Sequence, residues 1–163
     1  MSDESLVSEF ARRERDLPHW ESPGATYVVR FSVWRKCAVD LTRPELARVV
    51  VDALRFHDGR RYWLYDHTVM PDHVHAILKP IVREGATEPL WRIMRDLKSW
   101  TARRINQVLG RGGHVWRDET FDHILRGVAE YDEWAAYILE NPRAAGLVED
   151  PLEWPWWGRG ASP

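Results

Sequence analysis

The chain has 163 residues, 44% of them hydrophobic and 29% charged, a length and balance that suit one globular domain burying roughly 70% of its unfolded surface. Its single cysteine, Cys37, excludes an internal disulfide and cysteine-rich zinc sites, and no stretch approaches the roughly 18 apolar residues a membrane-spanning helix needs. The net charge of −2 argues against a uniformly basic nucleic-acid binder. The charges are segregated, however: between residues 83 and 117 eight basic side chains face three acidic ones, and from residue 127 onward seven acidic ones face two basic ones. A basic stretch of this kind can supply phosphate contacts whatever the total charge, and it can equally be a solvated helix face.

In chain order, residues 1–16 mix acids and bases without the apolar core of a signal peptide, so a cytoplasmic protein is expected. Residues 17–157 read as one domain and 158–163 as a tail. The segment 17–24 is a loop, after which Thr26 to Arg35 alternates as a first strand through Tyr27, Val29, Phe31 and Val33. Thr42-Arg43-Pro44-Glu45 reads as a capping box with an early proline, and Leu46, Val49, Val50, Ala53 and Leu54 follow at helical spacing. Tyr62 to Met70 and His73 to Lys79 form two strands across a Pro71-Asp72 turn, which predicts a hairpin. After Pro89, Leu90, Ile93, Met94, Leu97, Trp100, Ile105 and Val108 mark one side of a long helix, and Arg92, Arg95, Ser99 and Arg103 another, up to Gly110. Val115 to Arg126 contains a fourth strand in which Phe121, His123 and Leu125 share a face. A last helix runs from about Ala129 to Asn141 and is ended by Pro142. This order predicts an α+β fold: a ferredoxin-like split β-α-β core, a mostly antiparallel sheet, and an added C-terminal helix carrying Tyr137. The aromatic run Trp154-Pro155-Trp156-Trp157 is expected to pack back on the domain.

The residues that carry chemistry are His73-Val74-His75 and, far downstream, Tyr137 and Asn141. Alternate side chains of a strand share a side, so the two imidazoles can bind one divalent ion while Val74 packs behind them. Positions i and i+4 share a helix face. If strand and helix meet, two histidines and an amide oxygen would hold a cation beside a phenol, a set suited to attack of a tyrosine on a DNA phosphodiester. A phenol of pKa about 10 is mostly neutral at pH 7, so a cation that polarises the phosphate is needed. Two imidazoles and an amide neither separate Mg²⁺ from Mn²⁺ nor exclude Zn²⁺. Each residue also has a plainer reading: the histidines as polar residues of a solvated strand, Tyr137 as packing beside Trp134 and Ile138, and Asn141 as a helix terminator. No G-x-x-x-x-G-K-[ST] loop is present, which fits a transfer reaction that needs no ATP.

Met70 to His75, the block Trp116 to His123, and Tyr137 to Val148 together resemble the single-tyrosine HUH transposases of insertion sequences. The stretch His19-Trp20-Glu21 through Pro23 to Tyr27 is similar to the REP-associated tyrosine transposase branch. The resemblance covers about residues 17 to 157. It implies that His73 and His75 are the metal-binding pair, that Asn141 is a third, amide ligand, and that Tyr137 is the nucleophile. It further implies cleavage of single-stranded DNA beside hairpins through a 5′-phosphotyrosine, with Mg²⁺ or Mn²⁺ as cofactor, and a contribution to recognition from Gly24 to Tyr27. Many insertion-sequence relatives are dimers, whereas the branch can work as a monomer, so the resemblance favours a monomer and leaves a dimer open. Thr120 departs from the aromatic residue of many relatives and is read as affecting packing or DNA contact. Arg92, Arg95, Lys98 and Arg103 are candidate phosphate contacts, and Trp20 and Trp34 candidate platforms for unpaired bases. Two other readings stay open: a hairpin-DNA-binding protein without turnover, and a metal-dependent phosphodiesterase that activates water.

Overall fold

A computed structural model describes residues 22–160, so the expectations for residues 1–21, Trp20 among them, and for 161–163 lie outside the described residues. The first strand, β1 (Tyr27–Val33), leads through a 3-10 turn to helix α1 (Pro44–His57), then to β2 (Tyr62–Val69) and β3 (His73–Pro80). A small ribbon, β4 (Val82–Arg83) and β5 (Ala86–Thr87), precedes helix α2 (Leu90–Leu109). Then follow β6 (Trp116–Ile124), helix α3 (Val128–Ala144) and a short closing strand, β7 (Trp157–Arg159). The main sheet has the order β6-β1-β3-β2-β7, with every neighbouring pair antiparallel. Without β7 this is the strand order of the split β-α-β motif that the sequence predicts, an α+β fold.

Period-2 alternation gives the sheet two different faces. Tyr27, Val29, Phe31 and Val33 of β1 and Val74, Ala76 and Leu78 of β3 are buried against α1 and α2, which contribute Leu46, Val50, Leu54, Ile93, Leu97 and Ile105. The opposite face carries Val28 and Ile77, which pack with Ala135 and Ile138 of α3. His73, His75, Arg30 and Ser32 stand on that second face, with Ser32 opposite His73 and Arg30 opposite His75 in the β1–β3 register. The hairpin between β2 and β3 forms as predicted, closed by the Met70 N–H donating to the His73 carbonyl at 2.8 Å.

Four local expectations are corrected. The capping box does not form: Arg43 is the N-cap, Pro44 opens α1, and Thr42 instead donates its hydroxyl to Asp40 Oδ1 at 2.6 Å while Glu45 receives the Arg43 guanidinium. Trp100 and Val108 are exposed rather than inward, because the buried line of α2 runs Leu97, Thr101, Ile105 at four-residue spacing. Thr101 takes the inner place, donating its hydroxyl to the Leu97 carbonyl at 2.8 Å and accepting the Trp116 indole N–H at 2.9 Å. Pro142 does not end the last helix, which continues to Ala144; it lacks an N–H to donate but sits close enough to the end that the closing bonds, Ala145 to Asn141 and Leu147 to Pro142, still form. The sequence pattern, which reads a loop through Gly85, predicted neither the small β4–β5 ribbon nor β7.

Candidate metal and tyrosine site

The site is built where β3 passes under α3. Val74 is fully buried toward α1 and α2, which turns His73 and His75 to the other side of the strand. Their rings lie 4.9 Å apart, nearly perpendicular at 89°. The Tyr137 ring from α3 meets that of His75 at 5.5 Å and 86°, and Trp134, one turn earlier, meets Tyr137 at 5.6 Å. The His-X-His strand and the tyrosine helix therefore do come together, within one chain. Asn141 follows Tyr137 by one turn on α3 and is half-buried.

The two imidazoles have different surroundings. His73 Nδ1 lies 2.7 Å from Asp72 Oδ1. With Nδ1–H donating to that carboxylate, Nε2 keeps its lone pair for a cation, and the hydrogen bond holds the Asp72 carboxyl below the usual carboxylate range. His75 is only 3% exposed, and neither of its ring nitrogens has a hydrogen-bond partner among the described residues. Burial, reinforced by the charges of His73 and Arg30, pushes its pKa well below the ordinary histidine value, so it is a neutral imidazole at pH 7. A buried, neutral, unsatisfied imidazole beside a second one whose tautomer is fixed by a carboxylate fits a divalent-ion site. No three His, Cys, Asp or Glu side chains converge among the described residues. A cation here would complete its shell with oxygen from an amide, a phosphate or water.

The other sequence-derived residues fall elsewhere. Arg92, Arg95, Lys98 and Arg103 ride on α2, which covers the opposite face of the sheet from the histidines. Arg92 and Arg95 lie over the exposed Trp91 ring at 5.5 and 5.3 Å, and Arg95 also binds Asp96. Lys98 is half-buried, with its ammonium donating to the Asp118 carbonyl at 2.9 Å and to Thr120 Oγ1 at 3.2 Å, so both it and Thr120 tie α2 to β6. Tyr27 is 3% exposed and faces the helices, its hydroxyl accepting the Ser22 N–H at 3.2 Å, while Gly24 takes a positive φ of 81° in the turn before it. His123 is bound to Glu130 of α3 and tilts toward Trp134, so it anchors the tyrosine helix. Sequence reasoning missed Asp72, although it immediately precedes the histidine pair, and also Arg30, whose register opposite His75 only the sheet reveals.

No protein-family model matches the chain, and no curated protein matches it. Solved structures do. The REP-associated tyrosine transposase bound to a REP hairpin aligns with a TM-score of 0.70 at 20% identity, over 87% of this chain and 81% of that one. A candidate transposase from Deinococcus radiodurans R1 aligns with a TM-score of 0.50 at 20% identity, over 78% of this chain and 96% of that one. A bacterial tRNA(His) guanylyltransferase-like protein in complex with ATP aligns with a TM-score of 0.51 at 13% identity, over 89% and 66%. The resemblance read from the motifs thus extends to the fold, which among the described residues is α+β with a five-stranded antiparallel sheet and three α-helices. The same layout also serves an enzyme of different chemistry, so the reaction must be argued from the site.

Proposed function

We propose that this protein is a hairpin-binding DNA nicking and strand-transfer enzyme of the single-tyrosine HUH type, with Tyr137 as nucleophile and His73, His75 and Asn141 as ligands of Mg²⁺ or Mn²⁺. The observation that carries the proposal is the contact of the Tyr137 ring with the buried, unsatisfied imidazole of His75. The fold shared with a transposase bound to a REP hairpin supports hairpin DNA as the partner. A divalent ion on the two imidazoles would polarise the scissile phosphate and stabilise the charge that develops on it. Tyr137 forms the new O–P bond as the bond from phosphorus to the 3′-oxygen breaks; the phenol gives up its proton and the leaving oxygen takes one. The phosphotyrosine keeps the energy of the broken ester, so a 3′-hydroxyl of another strand can reverse the step and complete transfer. Trp134 and the His123–Glu130 contact fix the rotation of α3 that presents the phenol. Because His73, His75 and Tyr137 meet within one chain, a monomer is a sufficient unit. Incubation with labelled hairpin oligonucleotides tests the reading. The wild type gives a covalent protein–DNA band that chelator abolishes and Tyr137→Phe lacks; cleavage that survives in Tyr137→Phe points to attack by water instead.

A further inference from the structure

β2 runs between β3 and β7, and one of its residues stands directly opposite a partner on each: Thr68 pairs with His75 on one side and with Trp157 on the other. Directly opposite residues share a sheet face, so Thr68 lies on the face of the histidine pair. Thr68 is fully buried and His75 is 3% exposed. The Thr68 hydroxyl, both ring nitrogens of His75 and the indole nitrogen of Trp157 are all buried without a hydrogen-bond partner among the described residues. Other buried polar groups of this face are engaged. Asp66, two residues earlier on β2, accepts from Arg159 and Tyr131, and His73 Nδ1 is held by Asp72. Unpaired buried polar groups are costly, and three adjoining ones mark a place kept for something other than stability.

An imidazole that gives one nitrogen to a cation carries its proton on the other, and that N–H needs an acceptor. For His73 the acceptor is Asp72. Of the two residues directly opposite His75, Arg30 on β1 offers only donors, whereas Thr68 on β2 offers a hydroxyl oxygen with both lone pairs free. Directly opposite Cβ atoms lie about 5 Å apart, and the Thr68 oxygen is bonded to its own Cβ while His75 Nδ1 is bonded to the ring carbon that follows its own, so side-chain rotation brings the two into hydrogen-bond reach. We propose that Thr68 is the positioning residue of His75: its hydroxyl accepts the Nδ1–H, fixes the tautomer that keeps Nε2 for a cation, and is itself held by the indole N–H of Trp157. The two histidines are then oriented from opposite sides, His73 by a carboxylate of its own turn and His75 by a hydroxyl of the next strand. β7 enters the site as the strand that supplies Trp157. This assignment rests on the proposed reading of His73 and His75 as cation ligands and adds the group that orients the buried one.

The test compares Thr68→Val, which keeps the shape and removes the hydroxyl, with Thr68→Ser, which keeps the hydroxyl, each in the full chain. The first readout needs neither metal nor DNA: ¹⁵N NMR of the imidazoles at pH 7 reports which nitrogen of His75 carries the proton. The wild type and Thr68→Ser should show the Nδ1–H tautomer, and Thr68→Val a mixture or the Nε2–H form. The second readout is Mn²⁺ affinity by titration calorimetry without DNA. It should fall at least about ten-fold in Thr68→Val and stay within about three-fold of the wild type in Thr68→Ser. Melting temperature is no substitute for these readouts, because removing an unpaired buried hydroxyl can itself stabilise the fold. A Thr68→Val protein with the wild-type tautomer and affinity overturns the proposal. So does a Thr68→Ser protein that loses as much affinity as Thr68→Val, since the shape of the side chain and not its hydroxyl would then decide. The two readings fail separately. A wild type that holds the Nδ1–H tautomer through Thr68 but binds no Mn²⁺ keeps the hydrogen bond and loses the cation site; one that binds Mn²⁺ at His73 and His75 with an affinity indifferent to Thr68 does the reverse.

Discussion

Asp72 and His75 show how much a single position can decide in this site. His73 can offer Nε2 to a cation only while its other nitrogen carries the proton, and the Asp72 carboxylate 2.7 Å away holds that tautomer. Asp72→Asn is therefore expected to lower Mn²⁺ affinity, measured by titration calorimetry without DNA, by about 10- to 100-fold, with little change in melting temperature because Asp72 is mostly exposed. Unchanged affinity would remove Asp72 from the site. The pairing of His73 with His75 is legible in the sequence because a strand's period is exact at two residues, and Val74 declares its buried face by being apolar. The state of His75 is not legible, since it comes from burial under α3 and from Arg30 on another strand. The basic stripe of α2 is equally visible in the sequence, but only the sheet shows that it lies on the far side from the histidines.

Among the elements, β7 had the weakest sequence signal, and local chemistry explains why. It is three residues long, contains a glycine, and is held by contacts to residues about 90 positions away, none of which a periodicity can announce. Its neighbour on β2, Asp66, is fully buried and accepts from the Arg159 guanidinium at 2.9 Å and from the Tyr131 hydroxyl of α3 at 2.7 Å. Through that carboxylate the closing strand and the tyrosine helix are fastened to the same point. Glycine is needed at 160, where an added Cβ would stand 2.1 Å from the Leu64 carbonyl oxygen. Gly160→Ala is expected to peel β7 from the edge and cost about 1–3 kcal/mol in denaturant unfolding. Asp66→Ala should cost a similar amount by stranding the Tyr131 hydroxyl. If both variants melt like the wild type, β7 is not a fastening for α3. The longer elements were legible because their apolar periods are sustained: α2 spans 20 residues with six buried positions, and only its exposed Trp100 and Val108 depart from the expected stripe.

At the scale of the whole molecule, the sheet separates two jobs. One face is a continuous apolar layer with α1 and α2; the other combines a smaller apolar cluster under α3 with the histidines and the tyrosine. No helix among the described residues is long and apolar enough to cross a membrane. Global stability should fall in acid for a reason built into the first face. His67 of β2 is 1% exposed beside Arg55 of α1, and burial, then the Arg55 charge, lowers its pKa to about 4. A depressed histidine pKa means the unfolded chain binds the proton first. His67 costs nothing above about pH 6.5, and its penalty grows to about 3 kcal/mol as pH falls toward 4. Urea unfolding at pH 7 and pH 4.5 should show that loss, and His67→Gln should reduce it; a His67→Gln protein with the wild-type pH dependence would place the acid sensitivity elsewhere.

The central claim is that Tyr137 attacks DNA beside the histidine pair, and it is tested most directly by mass spectrometry of the protein after incubation with hairpin DNA and Mn²⁺. The account predicts an oligonucleotide joined through a 5′-phosphate to Tyr137, absent with chelator and absent from Tyr137→Phe. Cleavage of the same DNA with no adduct on Tyr137, or an adduct on another residue, would contradict it.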